Sequence, residues 1–307
     1  AMQRREAIAR RTCAALGYNE CVSYSFIDKP SAALFGGGTD DTRLENPISA
    51  DMSHMRPSLL PALLQAAARN QARGFADMAL FEVGPVFTGG EPGEQHLQVS
   101  GVLVGRTGPK DVHGASRPID LFDVKADIEA ILASIGAPAK VQINRNGDEW
   151  WHPGRHGQIC LGPKMVLAVF GEIHPRVLSA LDVKGPAVGF TLWPANVPLP
   201  RKVGATRPAL NVSALQAVER DFAFVVDAEV DALTLVNAAM GADKALIDDV
   251  RVFDEFIGGA LGEGKKSLAL SIRMQPNEKT LKDADIEAVS NKVIEKVTKA
   301  TGGVLRG

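Results

Sequence analysis

The sequence predicts an α+β protein of two successive domains, and three observations carry that reading. The chain has 307 residues, 45% hydrophobic and 23% charged, a composition and length that suit a globular protein with room for two cores. Its apolar residues switch between a period of two and a period of three to four, so strands and helices are interleaved. Around Pro200, "PANVPLPRKVGATRP" breaks both patterns with four prolines and little apolar content, which reads as an interdomain linker. The expected divisions are a first domain over 1–195, a linker over 196–211 and a second domain over 212–307.

The elements follow in order. Helical spacing runs from Gln3 to Leu16, with Ile8, Thr12 and Ala15 or Leu16 on one face and Gly17 as the stop. "ECVSYSFI" alternates, predicting a strand with Val22, Tyr24 and Phe26 on one side. Gly36, Gly37 and Gly38 read as an exposed loop, because a phosphate loop needs a following Lys-Ser or Lys-Thr. "RPSLLPALLQAAARNQARG" predicts a helix with Pro61 in its first turn, Leu63, Leu64 and Ala67 on its apolar face, and Gly74 at its end. "MALFEVGPVF" and "HLQVSGVLVG" are strands joined by a turn. "FDVKADIEAILASIG" is a helix entered near Asp123 that buries Ile128, Ile131, Leu132 and Ile135. "HGQICL" and "MVLAVFGEI" are strands around a Gly-Pro turn, followed by the helix "PRVLSAL" and the strand "PAVGFTLW".

Beyond the linker, "ERDFAFVV", "DALTLVNAAMG", "ALIDDVRVFDEF", "GKKSLALSIRMQ", "DADIEAVSNKVIEKVTKAT" and "GVLR" read as strand, helix, strand, strand, helix, strand. That order is the ferredoxin-like βαββαβ arrangement, an antiparallel sheet with helices on one face and the other face open.

Composition excludes several classes. No apolar run approaches the roughly 20 residues of a bilayer span. The opening segment is a charged amphipathic helix and not a signal peptide. Cys13, Cys21 and Cys160 are too few and scattered for a disulfide framework and fit a reducing cytoplasm. A formal charge of −2 gives no global attraction to nucleic acid, so any RNA contact must be local. Ala1 ahead of Met2 reads as a cloning scar on a piece of a longer protein.

His152, His156 and Cys160 recur every fourth residue, but Pro153, Gly154 and Gly157 break any helix that could make those ligands converge, which argues against zinc. Cys160 sits in an alternating strand with no general base marked for it, and no nucleophile elbow, Walker loop or dinucleotide fingerprint occurs. No catalytic and no metal-binding residue is assigned. The open face of the second domain is more informative. Strand alternation turns Leu268, Leu270, Ile272 and Met274 inward and leaves Ser271 and Arg273 outward; Val250 and Val252 point inward, leaving Arg251 and Phe253 outward. An aromatic ring beside arginines and hydroxyls suits unstacked RNA bases.

Together, "ENPISADMSHMRPSLLPALLQAAARN", "LFEVGPVF", "FDVKADIEAIL", "HPGRHGQI" and "GEIHP" resemble the C-terminal half of the bacterial phenylalanyl-tRNA synthetase beta chain. "VERDFAFVVD", "VFDEFIGGALGEGKKSLALSIRMQ" and "EKTLKDADI" resemble the ferredoxin-fold anticodon-binding domain that ends it. The resemblance implies a class II synthetase-like core, an antiparallel or mixed sheet with flanking helices, that is chemically inert. The arginines that clamp ATP phosphates are absent from "LFEVGPVF", and "FGEIHPRVLSAL" lacks the glycine run although Arg176 is present. It further implies a cytoplasmic two-alpha, two-beta assembly that charges tRNA(Phe), with ATP and Mg held by the alpha subunit and no cofactor in this part. Within it, Arg251, Phe253, Ser271 and Arg273 are the expected tRNA contacts, with Lys265, Lys266 and Lys279 toward phosphates. His152-Pro153-Gly154-Arg155 and His174 become architecture. Pro57, Leu215-Gln216 and Phe256 depart from the family pattern, the last replacing a common tyrosine. Two rivals stand: a scaffold domain without direct RNA binding, and a stand-alone class II synthetase paralogue.

Overall fold

A computed structural model of the chain describes residues 2–108, 112, 114–199, 209–210 and 212–306. It divides into two compact units, Ala1–Val203 and Gly204–Gly307. Of the expected linker, residues 200–208 and 211 lie outside the described residues.

The first unit opens with α1 (Met2–Ala15), which buries Ala9 and Cys13. Its Arg5 is buried too, and donates to the carbonyls of Pro194, Val197 and Pro198 at 3.1, 2.5 and 2.7 Å. Gly17 then turns the chain at φ +94°, a conformation other residues rarely adopt. The strand expected over "ECVSYSFI" forms only at its ends, as β1 (Asn19–Glu20) and β2 (Phe26–Ile27). Between them Ser23 Oγ donates to Glu82 Oε2 at 2.6 Å, drawing the backbone away from a ladder. Val22 and Tyr24 do project from this stretch, but into solvent, at 91% and 71% exposure.

Asp28 caps α2 (Lys29–Ala33) by accepting from the Ser31 amide, and β3 (His54–Met55) pairs with β2. Then α3 (Leu60–Gln71) begins with Pro61 in its first turn and buries Leu60, Leu63, Leu64 and Ala67. Each of its leucines contributes about 2 kcal/mol of burial. After it, β4 (Met78–Phe87) and β5 (Gln95–Val104) form a ten-residue antiparallel ladder. Helix α4 (Leu121–Ser134) starts two residues ahead of the expected Asp123. Asp120 is the cap, accepting from the Phe122 and Asp123 amides, and Asp123 reciprocates to the Asp120 amide. The unit closes with β6 (Gln142–Asn144), β7 (Trp151–Leu161), β8 (Met165–Ile173), α5 (Pro175–Ala180) and β9 (Ala187–Leu192).

These strands make one mixed sheet in the order β1-β4-β5-β9-β8-β7-β6, parallel at β1–β4 and antiparallel elsewhere. Helices α1 and α4 cover one face through Phe81, Val83, Val99, Phe170 and Phe190. On the other face α3 and α5 cover Leu80, Val102, Val104 and Ala187. Further along the same strands, Glu82, Gln98, Ser100 and Thr191 carry polar groups that apolar packing would leave unpaired.

The second unit contains β10 (Val218–Asp227), α6 (Ala232–Met240), β11 (Ile247–Phe256), β12 (Lys265–Met274), α7 (Asp283–Thr301) and β13 (Val304–Leu305). The order β11-β12-β10-β13 is antiparallel throughout, the expected ferredoxin-like sheet. Alternate residues Phe222, Phe224, Val226, Leu268, Leu270 and Ile272 pack on Leu235, Ile286, Val289, Val293 and Val297 of the helices. Gly302, at φ +67°, ends α7 in the left-handed cap.

Candidate functional site

Pairing register decides which side chains share the open face of the second unit. From β10 these are Glu219, Asp221, Ala223, Val225 and Asp227, paired with Arg273, Ser271, Ala269, Ser267 and Lys265 of β12. Arg251 of β11 faces Ser271. The register then shifts: Val252 pairs with Leu270, but Asp254, not Phe253, pairs with Ala269, and Phe256 pairs with Ser267. One extra residue opposite an uninterrupted strand is a β-bulge, and it reverses the alternation beyond it.

The expected contacts therefore divide. Arg251, Ser271, Arg273 and Lys265 lie on one face. Phe253 is 58% exposed, but it is the unpaired bulge residue, so alternation does not set it beside Arg251 as expected. Lys266 is a correction: it shares the helix-covered side with Leu268, its side chain is 11% exposed, and its Nζ lies 3.5 Å from Glu255 Oε1. Even-numbered positions of β12 point inward, so the pair Lys265-Lys266 cannot both reach solvent on the open side. Lys279 is exposed in the loop between β12 and α7.

The aromatic ring that alternation did not place there is Phe256. It is 43% exposed and shares its face with the exposed Asp254 carboxylate, while Ser267, its partner across the ladder, is buried. Arg306, whose amide donates to Ala223 O beside β10, holds its guanidinium 5.7 Å from the Phe256 ring centroid. Three cations of the face have carboxylate partners: Arg251 with Asp249 at 3.4 Å, Arg273 with Asp248 at 3.1 Å and Lys265 with Asp227 at 2.5 Å. All three pairs are solvent-exposed, so exchanging a carboxylate for a phosphate costs little.

The first unit holds a different site. On the polar half of its sheet lies a cavity of about 160 Å³, with Ser58, Gln98, Val169 and Thr191 among its lining. Gln98 Oε1 accepts from the Leu59 amide at 3.1 Å and from Ser100 Oγ at 3.3 Å, and Ser100 Oγ lies 3.1 Å from Thr191 Oγ1. Among the described residues, neither arginine nor lysine lines it. Nearby, Arg56 is fully buried, with Nε and Nη1 bound to Pro85 O, Ser23 Oγ and Glu82 Oε1. Arg176 stands instead at the start of α5, 3.5 Å from Glu149.

The histidines are structural. His156 Nδ1 meets His152 O at 2.7 Å, the Gly154 amide donates to His152 Nδ1 at 3.2 Å, and His174 Nδ1 accepts from the Arg176 amide as the cap of α5. Six residues of β7, Trp151 to His156, span three of β8, Ile173 to Gly171, so the "HPGR" segment bulges out of the ladder. Among the described residues no cluster of three or more His, Cys, Asp or Glu is placed to hold a metal.

Residues 1–193 match the family model for the phenylalanyl tRNA synthetase beta chain CLM domain. The chain belongs to the phenylalanyl-tRNA synthetase beta chain family. Residues 213–306 match the ferredoxin-fold anticodon binding domain. The phenylalanine–tRNA ligase beta subunit of Ruegeria pomeroyi is 77% identical over 99% of this chain and 38% of its own length. That of Cereibacter sphaeroides is 66% identical over 100% of this chain, again 38% of its own. This beta-chain family member thus spans about two fifths of the length of the curated relatives it matches. Among solved structures, a pyrrolysyl tRNA synthetase of Desulfitobacterium hafniense aligns with a TM-score of 0.48 at 14% identity, over 63% of this chain and 66% of that one. No described helix of the beta-chain segment is long and apolar enough to cross a membrane.

Proposed function

We propose that this chain acts as the noncatalytic part of a cytoplasmic phenylalanine–tRNA ligase, holding the anticodon end of tRNA(Phe) on the open sheet of its second unit. The observation that carries this reading is the register that brings Phe256 and Asp254 together, both exposed, on one face of the sheet. A base laid on Phe256 meets the Asp254 carboxylate at its edge, while Arg251, Arg273, Lys265 and Arg306 stand around it for the backbone. The first unit would pack against the alpha subunit in a two-alpha, two-beta assembly, and ATP with Mg would be used on the alpha subunit. The lining of the sheet cavity, which among the described residues has no arginine or lysine, supports that division, because a triphosphate there would lack the permanent cations that offset its charge.

The test is titration of the chain with a phenylalanine tRNA anticodon stem-loop against an anticodon-swapped loop, at several salt concentrations. Preference for the cognate loop that survives added salt is the expected result. The mutual pairing of cations and carboxylates on the open face favours the scaffold reading as the second one. Equal or absent binding of the two loops would select it.

A further inference from the structure

All three tryptophans of the chain, Trp150, Trp151 and Trp193, line the cavity of the first unit. Phe35 joins them, its ring centroid 5.6 Å from that of Trp150. Asp148 brings a carboxylate to the same lining, which among the described residues has no arginine or lysine. Asp148 is exposed at the mouth, yet partial desolvation raises its carboxyl above its ordinary range, opposed in part by its own backbone amide and by His156.

This lining disfavours anions, since it pairs the Asp148 carboxylate with no arginine or lysine among the described residues, and its one ionisable base, His96, stands exposed at the mouth. Indoles attract organic cations through the ring quadrupole, and a nearby carboxylate adds the counter-charge. Trp151 is 2% exposed, and its Nε1–H has no partner among the described residues. That donor needs an oxygen acceptor, which a bare alkylammonium lacks and a hydroxyl supplies. The buried Gln98 and Thr191 offer the same hydroxyl further partners.

We propose that this cavity binds a small hydroxylated organic cation of the choline or amino-alcohol class, with its ammonium group among the tryptophans and beside Asp148. The hydroxyl accepts from Trp151 Nε1. A volume of about 160 Å³ leaves room for a molecule of the size of choline. Exposed Thr88, His96 and Asp148 form the way in, and the buried residues form the floor. This site lies within the first unit and is independent of RNA binding by the second.

The tryptophans make the test direct, because every indole emission of the chain originates at this cavity. Titration of the chain with choline should change that emission saturably, with a Kd of about 1 mM or tighter confirmed by calorimetry. Tetramethylammonium, which lacks the hydroxyl, should bind about tenfold more weakly, and adenosine and ATP should give no calorimetric binding. Asp148→Asn, checked for folding by near-ultraviolet circular dichroism, should weaken choline binding about tenfold. The proposal is overturned by absence of saturable choline binding, by ATP binding more tightly than choline, or by unchanged affinity in the folded variant. The ligand series on the unaltered chain keeps the test decisive even if that variant fails to fold.

Discussion

Arg56 Nη1 donates to Glu82 Oε1 at 2.7 Å with both side chains almost wholly out of water, at 2% and 5% exposure. Nε of the same arginine donates to Pro85 O at 2.9 Å, and Nη1 also reaches Ser23 Oγ at 2.9 Å. Gly84 makes room for this: a Cβ there would stand 2.7 Å from Arg56 Nη2. The "EVGP" run of β4 is thus shaped around an arginine that precedes it by more than twenty residues.

Removing one member strands the other's charge in the interior. Arg56→Met should cost about 3–5 kcal/mol of unfolding free energy, read from urea midpoints. Replacing Glu82 by leucine in the same chain should recover much of that loss. Additive losses in the double-mutant cycle would show that the two residues do not depend on each other.

Phe256→Ala should weaken cognate stem-loop binding by about 1–3 kcal/mol, the usual worth of one stacked base. Phe253→Ala should change it less than threefold, roughly 0.6 kcal/mol. Lys266→Met should leave the salt dependence of binding unaltered, whereas Arg273→Ala should make it shallower. A larger effect at Phe253 than at Phe256, in filter binding or calorimetry, would place the base on the bulge instead.

Tyr18 Oη donates to Asp127 Oδ2 at 2.7 Å. Burial first, and then the Asp127 charge, raises the phenol well above its ordinary range. A folded-state pKa above the unfolded one means stability that is complete below about pH 10 and lost as the pH rises beyond it. Thermal melts of the chain should therefore steepen their decline above that pH. Tyr18→Phe should flatten this limb, and an unaltered limb would assign alkaline unfolding to other groups.

Cys13 is buried, and burial together with the Asp127 charge pushes its thiol up to about 12. At pH 8 its thiolate fraction is then on the order of 10⁻⁴. Cys21 is raised too, again by burial first, but it is only partly covered. Iodoacetamide on the native chain should modify Cys21 well before Cys13, as read by peptide mass mapping, and the difference should vanish in urea.

Local patterns announced most of the elements. Proline in the first turn and glycine past the end framed α3, and the order of strands and helices gave the second unit its topology. What escaped depends on residues distant in sequence. Sheet order is one case, since β9 lies between β5 and β8 although it follows both. The face of Phe256 is another: alternation along β11 is readable, but the extra residue at Phe253 is defined only against β12. The departure of Phe256 from the family's tyrosine had marked the position without its orientation. Arg56 gave no periodic signal at all, because its burial follows from Glu82 and Gly84 on a strand not yet formed when "SHMRPSLL" is read alone. The strand lost between Cys21 and Ser25 failed for a related reason, a hydroxyl committed to a carboxylate instead of a backbone committed to a ladder.

Arg5 has a consequence for how such a module can be combined with others. Its guanidinium ties the entrance helix of the first unit to the carbonyls of Pro194, Val197 and Pro198, at that unit's exit. A body whose polypeptide enters and leaves at neighbouring points can be spliced into a larger chain as a cassette. Whatever flanks it is not pulled apart, and the two crossings share a single anchor.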